Sequence, residues 1–371
     1  MKRAGTSQKG PELTGMVGKK SEGETQRPEL RTEKRTRRLA QAIRWEFILG
    51  ILLLIAIVGG QALSPDFLTA ANWTNLLANF VEIALLALPL TLIVITKEID
   101  LSVASVLGLA SSMLGVLWQT RLPMPLILLG CLLAGALAGL LNGFLIVQFR
   151  LPSLAVTIGT LTLFRGFSFV LLGDRAIADF PPEYSNIGFG TVGFVPIPFL
   201  LFLILAIATA VLVHTTPFGR TLFAIGGNQT AARFSGVRTQ RTKLILFTVS
   251  GIISALAGIV YTFRFMSSRA DNGTGFELSA LAAVFLGGVS VEGGKGTVFG
   301  TFLSLLLIAV INNALTLVDV SNEILTIVTG SLLITSIVLP NLLSRWRQQF
   351  RPRHFAETTA AVAQSVPQNP S

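Results

Sequence analysis

Histidine and cysteine are nearly missing from this chain. It has two histidines, His214 and His354, and one cysteine, Cys131, in 371 residues. They cannot furnish a Ser–His–Asp or Cys–His pair or a metal-ligand cluster, so no catalytic or metal site is expected. A lone cysteine excludes an intramolecular disulfide. Charge is scarce too: 13% of residues are charged against 51% hydrophobic, and mean hydropathy is +0.68. Soluble domains carry about 25% charged residues. That shortage excludes a soluble globular protein. What is plentiful is apolar sequence, in runs that reach the roughly 20 residues needed to cross a bilayer.

Acidic residues are the rarer charge, 19 against 29 Lys and Arg, a net +10. Much of the basic excess lies in the first 45 residues, in the stretch 215–243 and at the C-terminal end, where membrane orientation favours it. With no recognised motif beside it, the charge does not imply nucleic acid as a partner. Residues 1–44 read as a disordered basic cytoplasmic tail, 45–345 as a transmembrane domain and 346–371 as a cytoplasmic C-terminal tail. The first apolar run starts near Phe47, too late for a signal peptide, and Trp45 suits an interfacial anchor.

The expected fold is all-α and polytopic, with about ten membrane segments: 46–63, 75–96, 102–119, 124–148, 152–173, 195–214, 243–264, 276–291, 297–317 and 322–342. The eighth is short and interrupted by glycine. With a basic N-terminus inside, an even count leaves both termini inside, in agreement with Arg345, Arg347, Arg351 and Arg353. The loop 174–194 falls outside, carrying Asp174, Asp179 and Glu183 against Arg175. Arg264 and Arg269 would also fall outside, against the trend. Gly135, Gly139 and Gly143 repeat every fourth residue, as do Gly296 with Gly300 and Gly251 with Ala255; this is the spacing of close helix packing in lipid.

Some patterns carry nothing. Gly188, Gly190 and Gly193 fit GxGxxG but lie in an outside loop without a βαβ unit. The stretch GGKGT around Lys295 lacks P-loop spacing, so the chain is not expected to hydrolyse ATP. Asn72, Asn228 and Asn272 open N-x-[ST] triplets that arise readily by chance. Arg165 is the most deeply placed charge and calls for a partner or cavity. Glu82 is expected at the interface.

Three blocks hold more. In KEIDLSVAS, residues 97–105, Asp100 or Ser102 would cap the next helix, or Asp100 would sit on a substrate path or in an interhelical lock. The loop TTPFGRTLFAIGGNQTAARFSGVRTQRTK, residues 215–243, carries Arg220, Arg233, Arg238, Arg241 and Lys243 with no acidic residue. It predicts a helix over Phe218–Ile225 stopped by Gly226 and Gly227, then a second one capped by Asn228, running through Phe234 and ended by Gly236. The stretch GFELSALAAVFLGGVSVEGGKGT, residues 275–297, suits either a broken helix that opens backbone groups to a cavity or a close-packed bend.

In this order, and followed by Asn312 and Asn313, the blocks resemble the permease subunits of bacterial carbohydrate-uptake ABC transporters, the ribose, arabinose, xylose, rhamnose and autoinducer-2 group. The likeness covers about residues 45–345. It implies the vitamin B12-importer-like (type II) permease fold in the inner membrane. It also implies three partners: a cytoplasmic ATPase subunit that uses the ATP, a periplasmic sugar-binding protein and a second permease subunit, in contact with membrane lipid. No cofactor is expected on this chain. The matching docking positions are Arg220, Asn228, Ala231, Ala232, Ser235 and Gly236, with small Ala231 and Ala232 forming a slim face for a groove. Translocation-path candidates are Asp100, Ser102, Gly287, Gly288 and Asn312. The commoner family form has a glycine pair where Lys97–Glu98 stand, and glycine for Ala104; the change is either neutral or, if that block touches solute, the mark of a deoxy-sugar or autoinducer-like specificity. The rival reading, an ion-coupled secondary transporter, needs acidic residues inside the spans, and the sequence offers few beyond Glu82.

Overall fold

A computed structural model describes residues 45–349, and the side chains of 45–336 and 338 among them. The tail 1–44 and most of the C-terminal tail lie outside the described residues. The chain divides into two units, Met1–Trp45 and Glu46–Ser371.

The ten expected segments each contain a helix. These are α1 (Trp45–Leu63), the pair α2 (Ala70–Asn79) and α3 (Val81–Ile95), α4 (Val103–Gln119), α5 (Met124–Gln148) and α6 (Ser153–Leu172). A four-residue helix α7 (Asn186–Phe189) and a hairpin of β1 (Thr191–Val192) with β2 (Val195–Pro196) follow. Then come α8 (Ile197–Thr215), α9 (Pro217–Gly227), α10 (Gln229–Phe234), α11 (Thr239–Phe265), α12 (Phe276–Leu286), α13 (Val298–Thr316) and α14 (Asn322–Gln349). Six of them (α1, α5, α6, α8, α11 and α13) have the length and apolar composition to cross a membrane, and the α2–α3 pair makes seven. The chain is a multi-pass membrane protein.

The second expected segment starts earlier than predicted and is broken: α2 and α3 meet at a 45° bend. The break is at Phe80, not at Pro89 inside α3. Helix α12 has eleven residues, which at 1.5 Å per residue is about 16 Å, half a hydrocarbon core. Its chain then leaves the helix at Gly287 and returns to helix only at Val298.

Helix α11 is the centre of the bundle, packed against α5, α4 and α3. The seam with α5 is made by small residues. Gly135 and Gly139 lie against the backbone of Gly251 and Phe247, and Gly143 against Leu244. Any side chain at Gly139 would run into the Phe247 carbonyl. The expected packing role of the spaced glycines therefore holds here, with Ala255 beside Gly135. Gly296 differs: at φ +143° it belongs to the turn before α13, while Gly300 abuts Gly287. Arg165 finds its partners in backbone. Its guanidinium donates to the carbonyls of Ala270 (2.8 Å), Asn272 (2.9 Å) and Ala104 (3.3 Å).

The N-x-[ST] asparagines all have structural work. Asn72 and Asn313 exchange amide hydrogen bonds at 2.8 and 2.9 Å. Asn272, buried, donates to Ser111 Oγ at 2.8 Å. Asn228 caps α10.

Candidate functional site

Two regions at opposite ends of the bundle carry the polar features of interest. The first is the loop between α8 and α11. Thr216 Oγ1 accepts from Gly219 N–H (3.3 Å) and Pro217 takes the first helical position, so α9 starts where its sequence dictates. Contrary to the sequence-based expectation, α9 includes Gly226 and Gly227. Gly226 is needed for contact rather than for stopping: a side chain there would strike the Ile95 carbonyl. The stop comes at Asn228, whose extended backbone and Oδ1, accepting from Ala231 N–H at 3.0 Å, open α10. Gly236 at φ +82° turns the chain out of α10, and Val237 N–H closes the end on the Ala232 carbonyl at 3.1 Å.

The outer face of α10 is unlike the expected slim surface. Arg220, Asn228, Ala231, Ser235 and Gly236 are exposed, but Ala232 is buried within its own chain. Of the two alanines, Ala231 faces outward and Ala232 inward. Beside Ala231 stands Phe234, 89% exposed, a residue that composition did not single out. Lys243 is also not part of the solvated basic surface. It is buried, ion-paired with Glu98, and donates to Gln229 Oε1 at 3.1 Å.

All three sequence blocks meet on this face. Gly294 N–H donates to the Ile95 carbonyl at 2.8 Å, and Gly293 lies against Lys97 and Gly226. Lys97 therefore borders the cleft formed with Ile225–Gln229, and the block is not placed to choose a solute by touching it in the pocket described below. Asp100 and Ser102 lie just inside, buried. Asp100 Oδ1 accepts from Ser102 N–H (3.0 Å) and Oγ (2.6 Å), and Oδ2 accepts from Ser250 Oγ of α11 (2.9 Å). Asn142 of α5 donates to Ser102 Oγ at 2.7 Å. Ser102 makes no side-chain cap on α4. These two path candidates thus form an interhelical lock joining α4, α5 and α11.

The second region is a pocket of about 160 Å³ between the α2–α3 break, α12 and α13. Asn79, Ser279, Asn312, Asn313 and Thr316 give it polar groups among Leu76 and Phe80. Asn312 Oδ1 is buried without a hydrogen-bond partner. Of the path candidates, only Asn312 lines this pocket. Gly287 packs against Gly300 and Thr301 of α13, and Gly288, at φ +86°, is the turn that follows; the close-packed bend is the reading the geometry favours.

Behind the pocket lies a pair that sequence reading misplaced. Glu82 is fully buried, not interfacial, with Oε1 2.7 Å from Arg264 Nε. That contact is an ion pair without an aligned hydrogen bond, since none of these three atoms (Glu82 Oε1 and Oε2, Arg264 Nε) has one. Arg264 Nη1 donates to Asn79 Oδ1 at 2.6 Å, and its guanidinium lies 4.3 Å from the Phe265 ring centroid. Burial also explains why Arg264 broke the loop-charge trend. The other offender, Arg269, is exposed but neutralised by Asp271 at 2.9 and 3.1 Å, bonds that hold the Asp271 carboxyl below its ordinary range. Among the described residues no His, Cys, Asp and Glu group is arranged to hold a metal.

Residues 72–337 match the family described as "Branched-chain amino acid transport system / permease component". The chain belongs to this family. The permease is similar to the autoinducer 2 import system permease protein LsrD of Escherichia coli (strain K12), 36% identical over 277 residues, 73% of this chain and 84% of the relative. The proteins of the same name from Shigella flexneri and Escherichia coli O157:H7 match at the same identity and coverage. No solved structure matches. The permease is a transporter subunit, not an enzyme, and the stand-alone secondary transporter falls away as a reading.

Proposed function

We propose that this permease is one of two membrane subunits, identical or related, of an ABC importer for a monosaccharide-sized polar solute. Autoinducer 2 is the first candidate, since the relatives carry that name, and a deoxy-sugar such as rhamnose the second. In this reading the chain crosses a bacterial inner membrane ten times, with the vitamin B12-importer-like (type II) fold and both termini in the cytoplasm. A periplasmic binding protein delivers the solute, and a cytoplasmic ATPase subunit uses the ATP. The permease itself binds no cofactor.

One observation carries the proposal: a capped, solvent-facing helix, α10, stands between two membrane helices in a loop without acidic residues. It offers Ala231, Arg233 and Phe234 to a groove in another protein. Closure of two ATPases on ATP would shift α9–α10. Gly226 and Gly294, both seated on the Ile95 carbonyl, would pass that shift to α3 and to the turn before α13. Helix α3, through Ile83, and α13, through Asn312 and Asn313, line the pocket at their far ends, where the amides of Asn79, Asn312 and Asn313 suit the hydroxyls of a neutral solute.

The test is uptake of labelled autoinducer 2 and rhamnose by cells carrying the complete transporter, with the ATPase intact or inactivated at its phosphate-binding lysine. The proposal expects uptake of one solute, abolished by the inactive ATPase. Uptake that persists with the inactive ATPase overturns it.

A further inference from the structure

A cluster of polar side chains ties the docking loop to the membrane bundle. Lys243, near the start of α11, sits between Glu98, in the α3–α4 turn, and Gln229, the first residue of α10. The Lys243 and Glu98 side chains retain only 9% and 12% of their exposure. The α3–α4 turn is also held inside the bundle, because Asp100, two residues on, receives Ser250 of α11. Glu98 and Asp100 thus fasten the same turn to α11 at two depths, and Gln229 extends the upper fastening to α10.

We propose that Gln229, Lys243 and Glu98 form a strut that positions α10 against the α3–α4 turn, so that displacement of the docking helix moves α3 and α4 with it. This rests on the reading of α9–α10 as the ATPase docking loop. The physical reason is stiffness. A buried ion pair between two elements resists separation, because pulling it apart leaves each charge in a poorly solvated setting. The Gln229 amide, by accepting from the ammonium, adds the third element. Backbone contact at Gly226 allows α9 to press on α3, but it cannot pull. The strut transmits both directions of the cycle, which alternation requires. It also gives Glu98 a role that a glycine at that position has no side chain to fill.

The test uses the purified complete transporter in proteoliposomes, reading solute uptake, ATP hydrolysis and ATPase co-purification for each variant. Gln229→Ala cuts the strut at α10 and leaves the ion pair. The inference expects it to retain the bound ATPase and ATP hydrolysis, while solute moved per ATP falls roughly fivefold or more, the low end of an allosteric coupling. Gln229→Glu, which still accepts from Lys243, recovers the ratio. The charge-reversed double variant Glu98→Lys with Lys243→Glu recovers it over either single variant. A ratio in Gln229→Ala equal to that of the parent overturns the strut. So does a folded, ATPase-bound reversed pair that recovers nothing. The docking reading fails separately, through an unaltered permease that never co-purifies with the ATPase.

Discussion

At Lys97 an L-residue occupies φ +67°, a conformation that costs roughly 1–2 kcal/mol. The commoner family form has glycine there, so the departure visible in sequence puts a side chain at a strained position. Lys97→Gly should raise the thermal midpoint in detergent slightly. The net gain is about 1 kcal/mol at most, because glycine's greater chain entropy offsets part of the relief. Glu82 makes the opposite prediction. Fully buried against Arg264, it should not tolerate loss of its charge, and Glu82→Gln should cost about 3–5 kcal/mol. Thermal unfolding by fluorescence-detected size exclusion measures this. Replacing both partners, Glu82→Leu with Arg264→Met, should restore most of the loss; a double variant as unstable as the single one contradicts the account. Glu82 was hard to read because its partner lies far along the chain, and no local spacing joins α3 to the end of α11.

At the scale of elements, periodic small residues were readable and correct. The four-residue glycine spacing of α5 announces a close approach, and α11 supplies the matching Gly251 and Ala255. Gly139→Leu should therefore part these helices and destabilise the permease by about 1–3 kcal/mol or more; an unchanged thermal midpoint is the contrary result. The two-helix form of the docking loop was legible as well, through Asn228 and Gly236. Which of its side chains face outward was not. Solvent and partner faces of a six-residue helix depend on how it rests on α9 and α11, and that contact turns Ala232 inward. Ala232→Trp would consequently disturb the loop itself, and Phe234→Ala is the cleaner probe. Truncating an exposed aromatic anchor should weaken ATPase association by roughly 2 kcal/mol, about 30-fold, with the thermal midpoint held. The break of the second segment at Phe80 was invisible, since Pro89 is the residue that sequence would blame.

For the whole molecule, hydropathy delivered the segments and family likeness the class of transporter, whereas the pocket arises only from assembly of α2, α12 and α13. Within it, Asn312 was legible because it sits beside Asn313 in an apolar run; Asn79 and Ser279 carry no such signal. The proposed orientation has a direct check, helped by the burial of the only cysteine, Cys131. Thr230→Cys should react with a membrane-impermeant maleimide only from the cytoplasmic side, and Thr191→Cys only from the outer side. Reversed labelling would invert the permease and remove the docking loop from the ATPase. In the proposed mechanism the permease receives its energy through α10. Its most direct measurement is a photo-crosslinking amino acid at position 234, irradiated in native membranes. The account predicts a covalent adduct with the ATP-binding subunit whose yield changes when ATP is added. Contradiction would be a well-expressed, transport-competent variant that yields no adduct with that subunit in any nucleotide state.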